Sequence, residues 1–199
     1  FVHETVAETF LNRLLDRINN NIIIADPMDP NTNVGALISE SHLEAVLAYI
    51  ESGKKQGASL VSGGHRVHPK GCEGGFFVAP TVFTDCTDEM TICREEIFGP
   101  VMSVLTFCDE DDVIRRANDT DYGLAAGVFT RDIRRAHRVI AQIQAGICWL
   151  NAYGNSPAEM PVGGYKLSGI GRENGVQTLK SYTQTKSVYV GMQPLEGPF

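Results

Sequence analysis

Residues 124–150 read LAAGVFTRDIRRAHRVIAQIQAGICWL, a run that is apolar at both ends and mixed in the middle. The apolar ends predict strands over Ala125–Thr130 and Ile147–Asn151 that are covered on both faces. The middle has apolar residues at helical spacing and predicts a helix over Arg131–Gln144, which Gly146 ends. The residues expected to face inward from this helix are Ile133, Ala136, His137, Ile140 and Ile143.

The same alternation of strands and helices continues on both sides of this run. Helices are predicted over residues 4–20, from Ser41 to before Gly53 or Gly57, over Asp109–Ala117 and over Arg172–Ser181. The second of them starts with a capping-box pattern, Ser41-x-x-Glu44. Strands are predicted over Ala58–Ser62, Phe76–Phe83 with a break at Pro80, Val101–Phe107 and Ser187–Val190. This order favours an α/β fold, with a mostly parallel sheet and helices on both faces.

Composition and charge are those of a globular chain. Of the 199 residues, 43% are apolar and 21% are charged, and the formal charge is −7. A negative chain is poorly suited to nucleic acid or to an anionic membrane as its main partner. The longest apolar runs are far shorter than the ~20 residues that a membrane span needs. We therefore expect neither a nucleic-acid partner nor a membrane partner.

The cysteines and histidines show no spacing typical of a metal site. No two cysteines form a C-x-x-C pair, and the five histidines are scattered. An odd number of cysteines without such a pair favours free thiols in a reducing compartment over a disulfide framework. The five are Cys72, Cys86, Cys93, Cys108 and Cys148.

Residues 95–100 read EEIFGP and place two carboxylates and an aromatic ring just before a predicted strand. Two interpretations are open. The carboxylate and the ring either bind the ribose and the flat ring of a cofactor, or they form a solvated acidic turn with a core phenylalanine.

Residues 160–175 read MPVGGYKLSGIGRENG, and their glycine density predicts close backbone approach. Bare carbonyls in such a loop suit a monovalent cation. The glycines at 169, 171 and 175 favour a loop and a helix start over a dinucleotide phosphate loop, because no good strand precedes them. Glu173 is placed in the first turn of the predicted helix, where it is either a proton relay or a cap matched to the helix dipole.

Long motifs of the chain resemble the NAD(P)-dependent aldehyde dehydrogenase family. They cover almost all of the 199 residues and include GFFVAPTV at 75–82, EEIFGPV at 95–101, YGLAAGVFT at 122–130 and GGYKLSG at 163–169. Four further stretches look most like bacterial betaine aldehyde dehydrogenases: DCTDEMTI at 85–92, VIRRANDT at 113–120, SPAEMPVGGYK at 156–166 and GRENG at 171–175. Aminoaldehyde and trimethylaminobutyraldehyde dehydrogenases share much of this pattern.

The resemblance implies oxidation of betaine aldehyde to glycine betaine with NAD(P)+. In the family, a cysteine thiolate attacks the aldehyde to give a thiohemiacetal, hydride passes to NAD(P)+, and a glutamate-activated water hydrolyses the thioester. The family cysteine lies in a Gly-Gln-x-Cys motif, which this chain lacks. We therefore expect the nucleophile, the general base and the N-terminal cofactor domain to precede Phe1, and we expect this chain alone to be inactive.

The resemblance also assigns roles to single residues. Glu96 matches the glutamate that binds the nicotinamide ribose of NAD or NADP, and Phe98 matches the aromatic residue beside the nicotinamide. Glu173 matches a proton-relay glutamate. Lys166 and Gly169 match positions whose backbone oxygens bind a potassium ion, a hard cation that takes oxygen ligands.

The implied substrate pocket contains Tyr153 and Glu159. Aromatic faces hold trimethylammonium groups, and Glu159 adds negative charge. Tyr153 is a better candidate than Trp149, which lies in an apolar strand and is expected in the core. Related enzymes often have a tryptophan where this chain has Tyr153.

The resemblance further divides the chain into a catalytic-domain portion (1–167), a return segment and helix (168–185), and an oligomerisation strand and tail (186–199). Strand pairing across a subunit interface would remove an exposed edge. The resemblance also implies that the full-length protein is a cytoplasmic homo-oligomer, a dimer of dimers. The alternatives are an aminoaldehyde or trimethylaminobutyraldehyde dehydrogenase, and a non-catalytic fragment that co-assembles with full-length subunits.

Overall fold

The computed structural model describes residues 1–194 and Gly197, which form two compact units. The first unit runs from Phe1 to Asp121, and the second begins at Tyr122. The divisions expected after residues 167 and 185 refer to a longer protein and stay predictions. Among the helices of the described residues, none has both the length and the apolar character that a membrane crossing requires.

The first unit contains four helices and seven short strands. The helices are α1 (Glu4–Asn21), α2 (Glu40–Lys55), α3 (Thr91–Arg94) and α4 (Glu110–Asn118). The strands are β1 (Val2–His3), β2 (Ser59–Ser62), β3 (Arg66–Val67), β4 (Phe77–Val78), β5 (Thr81–Thr84), β6 (Val101–Ser103) and β7 (Thr106–Phe107). Strand β5 lies between β2, to which it is antiparallel, and β6, to which it is parallel. Strands β1 and β7 form a parallel pair, and β3 and β4 form an antiparallel pair.

Helix α2 supplies the centre of the core in the first unit. Leu43, Val46 and Ile50 recur at helical spacing and are at most 1% exposed. They belong to one buried cluster with Phe83 of β5 and Ile92 of α3. Full burial of each such side chain contributes about 1.5–3 kcal/mol. This packing therefore holds α2, β5 and α3 together.

The start of α2 differs from the predicted capping box at Ser41. The helix begins at Glu40, and Ser39 is its cap, with an extended backbone and a hydroxyl oxygen that accepts from the backbone N–H of His42 at 3.2 Å. The capping serine therefore lies two residues earlier than the sequence pattern predicted. A serine at either position satisfies the same local rule, so the pattern could not decide between them.

The second unit contains four strands and two helices among its described residues. They are β8 (Tyr122–Gly123), β9 (Ala125–Val128), α5 (Ile133–Ile140), β10 (Ile147–Leu150), β11 (Tyr165–Lys166) and α6 (Thr178–Ser181). Strands β9 and β10 are parallel, as predicted, and β8 is antiparallel to β11. Helix α5 buries Ala136 and Val139. The prediction that Ile133 and His137 face inward is wrong, because both are exposed.

The prediction of a mostly parallel sheet is wrong, because antiparallel pairings are as common as parallel ones among the described residues. Within the described residues, three of the six strand pairings are antiparallel, and the strands form five small sheets. Parallel neighbours need a crossover of about a dozen residues or more. Helices α3 and α5 lie in such crossovers between β5 and β6 and between β9 and β10, whereas β3 and β4 are joined by a short loop.

The predicted C-terminal elements are shorter or missing. The helix expected over Arg172–Ser181 is confined to α6, because Asn174 and Gly175 have φ angles of 60° and 63°, outside the helical region. Residues 187–190 lie in no strand. Part of the predicted 186–199 tail lies outside the described residues, and its pairing with a second subunit stays a prediction.

Candidate functional site

A cleft of about 400 Å³ opens in the first unit between α3, the 95–100 segment, β6 and the end of α4. Its walls include Cys93, Glu96, Phe98 and Arg116. Glu96 and Phe98 are the residues for which the family resemblance predicts a cofactor role. The structure therefore brings the two predicted cofactor residues to the wall of one cavity.

Phe98 has a backbone conformation that is unusual for its residue type. Its φ is 52°, in the left-handed region, and the residue is 77% exposed. Its carbonyl oxygen accepts a hydrogen bond from Nε2 of His42 at 2.8 Å, and the two rings meet edge-on with centroids 6.1 Å apart. A bulky residue in this region is strained, and such strain concentrates at functional sites. Phe98 is thus held out of the core, and the interpretation of a core phenylalanine is wrong.

Gly99 explains how this segment approaches helix α2. A Cβ built at Gly99 would lie 2.7 Å from a methyl group of Val46, which is fully buried. Only glycine allows the backbone to pass this close without moving the core. The close contact at Gly99 and the hydrogen bond from His42 together position Phe98.

The two neighbouring glutamates have different surroundings. Glu95 accepts a hydrogen bond from the hydroxyl of Tyr49 at 2.7 Å and does not line the cleft. Glu96 is exposed and lines the cleft, and within the described residues its carboxylate has no hydrogen-bond partner. The carboxylate of Glu96 is therefore available to accept hydrogen bonds from hydroxyl groups of a ligand.

Charged pairs hold the rim of the cleft. Arg116 contacts Asp88 at 2.7 Å and Asp112 at 3.5 Å, and its pKa is raised, chiefly by the hydrogen bond to Asp88. Arg94 contacts Glu89 at 3.0 Å and Asp119 at 3.2 Å. Each arginine thus joins two segments of the chain around the cleft.

Cys93 lines this cleft, and its pKa is affected by Cys86, a pairing that the sequence did not predict. The neighbouring Cys86 thiol is the largest cause that lowers the pKa of Cys93 to about 7, and Cys93 in turn raises the pKa of Cys86. The Sγ of Cys86 itself donates to the carbonyl oxygen of Thr84 at 3.7 Å. Their separation of seven residues matches no motif, so no local sequence signal could have revealed the pair.

The predicted substrate residues lie in the second unit, in the segment that we call the glycine-rich loop, residues 152–171. Tyr153 is 70% exposed and packs against Trp149, with ring centroids 4.9 Å apart and planes tilted by 50°. Trp149 is half-buried, and its Nε1 donates to the carbonyl oxygen of Asn155 at 2.7 Å. Trp149 thus supports the ring of Tyr153 from one side. Glu159 is exposed in the same loop.

Glu173 does not occupy the first turn of a helix. Its backbone exchanges two hydrogen bonds with Val162, at 2.8 and 2.9 Å, and helix α6 begins five residues later, at Thr178. The interpretation of Glu173 as a helix cap is therefore wrong. Its side chain is exposed on this short backbone bridge.

Lys166 and Gly169 lie at the two ends of one tight turn. Lys166 has a φ of 51°, and Gly169 has a φ of 117°. The N–H of Gly169 donates to the carbonyl oxygen of Lys166 at 3.3 Å. No cluster of three or more His, Cys, Asp or Glu side chains suited to a metal occurs in the described residues.

Comparison with known proteins identifies relatives along the whole chain. The model of the "Aldehyde dehydrogenase family" matches residues 1–188. A betaine aldehyde dehydrogenase of Vibrio vulnificus is 59% identical over all 199 residues. This chain covers 41% of the length of that relative, so it corresponds to less than half of the curated proteins that it matches.

Solved structures of aldehyde dehydrogenases are also similar to this chain. An aldehyde dehydrogenase of Bacillus cereus in complex with NAD+ has a TM-score of 0.90 and 48% identity, over 97% of this chain and 38% of its own. A betaine aldehyde dehydrogenase of Staphylococcus aureus in complex with NAD+ has a TM-score of 0.86 and 38% identity, over 91% of this chain and 36% of its own.

Proposed function

Because this chain belongs to the aldehyde dehydrogenase family, we propose that it is part of an enzyme that oxidises betaine aldehyde to glycine betaine with NAD+ or NADP+. The observation that carries the proposal is the cleft wall at residues 96–98. There a carboxylate without a hydrogen-bond partner among the described residues lies beside an aromatic residue that is held out of the core. The bound dinucleotide supplies the hydride acceptor.

The role of this chain toward the dinucleotide is to bind and orient it. The free carboxylate of Glu96 suits the two hydroxyl groups of a ribose, because an ionised carboxylate only accepts hydrogen bonds. The exposed ring of Phe98 offers a flat apolar face to a flat ring. Orientation of a reacting ring lowers the entropic part of the barrier. The proposed thiohemiacetal and thioester need a cysteine in a Gly-Gln-x-Cys motif, which the 199 residues do not contain.

The adjacent glutamates allow a matched test of the cofactor role. In the full-length protein, Glu96→Gln should raise the Kd for NAD+ about tenfold, because it removes the charge from hydrogen bonds worth about 1.5–3 kcal/mol. Glu95→Gln, one residue away and bonded to Tyr49, should leave the Kd within twofold. Calorimetric titration measures both. Equal effects of the two variants would contradict the assignment.

The proposed substrate contact is the exposed face of Tyr153, with Glu159 adding negative charge nearby in sequence. A trimethylammonium group over an aromatic ring gains about 0.5–2 kcal/mol. Tyr153→Leu should therefore raise the KM for betaine aldehyde several-fold, whereas the KM for a neutral aldehyde of similar size stays unchanged. Tyr153→Phe keeps the ring face and should behave like the parent. An equal rise for both aldehydes in Tyr153→Leu would contradict the contact.

The proposed proton relay and cation ligands belong to the second unit. Glu173→Gln should change the pH profile of kcat, because it removes a carboxylate that can exchange a proton.

The carbonyl oxygens of Lys166 and Gly169 are proposed as part of the shell of a potassium ion, which takes oxygen ligands. Removal of K+ from the buffer should lower the Tm of the full-length protein, and K+ should restore it. An unchanged Tm would contradict the ion site.

The alternative functions are separated by two measurements. A ranking of kcat/KM for betaine aldehyde, trimethylaminobutyraldehyde and aminoaldehydes distinguishes the proposed enzyme from its related dehydrogenases. One further alternative is a non-catalytic chain that co-assembles with full-length subunits. Size-exclusion chromatography of this chain with and without the full-length protein tests that alternative.

The proposed dimer of dimers is tested by the mass of the full-length protein in solution. The proposed cytoplasmic location is tested by cell fractionation.

A further inference from the structure

We propose that one face of helix α2 positions the cofactor segment, residues 95–99, and that His42 and Tyr49 are positioning residues for the dinucleotide. The inference rests on the proposed cofactor role of Glu96 and Phe98 and deepens it. The described wall of the cleft includes neither His42 nor Tyr49. Both therefore act through the cofactor segment and not by contact with the ligand.

Residues 91–99 run back along α2, from its C-terminal end toward its N-terminal end. Four contacts join them to α2 and its C-cap residue: Gln56 with Thr91, Tyr49 with Glu95, Val46 with Gly99 and His42 with Phe98. His42, Val46 and Tyr49 are separated by four and three residues, which places them on one face of the helix. The cofactor segment is thus attached to a single helix face at three points.

Helix α2 is a fixed support for these contacts. Leu43, Val46 and Ile50 are buried in the core of the first unit. The N–H of His42 donates to the hydroxyl oxygen of Ser39, which caps the first turn. Close-packed interiors resist displacement of their side chains. The backbone of His42 is therefore held at the capped end of a helix that cannot shift without disturbing the core.

His42 contacts the residue of the cofactor segment whose backbone is strained. Its Nε2–H donates to the carbonyl oxygen of Phe98 at 2.8 Å, and the φ of Phe98 is 52°. A bulky residue keeps such a conformation only where its surroundings stabilise it. Loss of the hydrogen bond should let Phe98 leave this conformation, and its ring would then leave the cleft wall.

Tyr49 selects which of two adjacent carboxylates faces the cleft. Its hydroxyl donates to Oε2 of Glu95 at 2.7 Å, and its ring and Ile97 both pack against the core cluster. Glu95 has an extended backbone, and neighbouring side chains of an extended segment point to opposite sides. Anchoring Glu95 and Ile97 therefore directs Glu96, which lies between them, toward the cleft.

Binding of NAD+ to the full-length protein, measured by calorimetric titration, tests the role of His42. His42→Leu should raise the Kd about three- to tenfold, the value of one hydrogen bond. His42→Gln has a side-chain N–H for the same carbonyl oxygen and should restore the Kd to within about twofold. Glu44→Gln changes an exposed residue of the same helix and is the control. Equal Kd values for His42→Leu and His42→Gln would overturn this role.

Double variants separate positioning from a general loss of structure. A residue that acts only through another has no further effect once that other residue is replaced. Tyr49→Phe should raise the Kd for NAD+ about threefold in the parent and leave it unchanged in Glu96→Gln. His42→Leu should likewise have no further effect in Phe98→Leu. Additive effects in both pairs would overturn the proposal.

The single variants distinguish failure of this inference from failure of the proposed function. The Tm of each variant, measured without NAD+, shows that it is folded. If Glu96→Gln and Phe98→Leu bind NAD+ like the parent, the cofactor role is wrong and the positioning role falls with it. If both bind weakly while His42→Leu and Tyr49→Phe bind like the parent, the cofactor role stands and the positioning role of α2 is overturned.

Discussion

The cleft of the first unit and the glycine-rich loop of the second unit are held by different kinds of contact. The cleft lies against buried side chains, and Phe98 is positioned by close packing of Gly99 on fully buried Val46. The loop has few buried side chains, and Arg172 and backbone hydrogen bonds hold it. Substitutions that shorten a buried side chain should therefore affect the cleft most. Substitutions that replace a glycine by a larger residue should affect the loop most.

The largest expected effect is loss of core volume in the first unit. Phe83 is 0% exposed, and Phe83→Ala should lower the free energy of unfolding by about 3–5 kcal/mol. Ile170 is fully exposed in the glycine-rich loop, and Ile170→Ala should change it by less than about 0.5 kcal/mol. Denaturant unfolding monitored by hydrogen exchange in β5 measures the difference. Similar effects of the two variants would remove the contrast between the units.

The next effect concerns added volume in the second unit. A Cβ at Gly146 would overlap the carbonyl oxygen of Gly163, which belongs to the backbone and cannot rotate away. Gly146→Ala should cost about 1–3 kcal/mol and accelerate hydrogen exchange in β10. Gly74→Ala is the control, because nothing lies within 4 Å of the position that its methyl group would take and its φ is not in the left-handed region. Unchanged exchange in β10 would show that the loop backbone moves freely.

A smaller effect on stability is expected from substitution of Arg172, whose side chain holds the glycine-rich loop. Arg172 Nη1 donates to the carbonyl oxygens of Gly164 and Gly171 at 3.0 and 2.6 Å, and its guanidinium lies 5.5 Å from the ring centre of Tyr165. Arg172→Leu removes these hydrogen bonds and should cost about 1–2 kcal/mol. Hydrogen exchange should rise in the glycine-rich loop and stay constant in β5. A rise in both would mean that the two units unfold together.

The smallest effect is on reactivity and not on stability. The thiol of Cys93 reacts as the thiolate, so its alkylation rate should rise with pH through a midpoint near its pKa of about 7. Cys86→Ala removes the neighbouring thiol that lowers this pKa most, so the midpoint should move to higher pH. Ser103 and Arg94 still favour the thiolate in the variant, and Asp88 still opposes it. Cys72→Ala should leave the midpoint unchanged, and an unchanged midpoint in Cys86→Ala would contradict the effect of Cys86.

Local patterns predicted most elements of the fold. Helix α1 follows the apolar spacing of residues 4–20, and β9, α5 and β10 follow the run at 124–150. The share of strand pairings that are parallel could not be predicted from local patterns. The direction of a pairing depends on which strands, distant in the chain, lie next to each other. The helix expected from Arg172 was also wrong. There, the left-handed backbone at Asn174 and Gly175 overrides the helical propensity of the segment.

The sequence by itself determined the family and most of the strands and helices, because these depend on residue types at fixed local spacing. The resemblance to that family, and not the spacing alone, singled out Glu96 and Phe98. Only the tertiary structure decided that Glu95 is bonded to Tyr49 while the carboxylate of Glu96 has no hydrogen-bond partner among the described residues. It also decided that the ring of Phe98 is exposed. Each of these facts depends on contacts between residues that are distant in the chain or on a backbone angle that packing imposes. Local spacing contains no information about either.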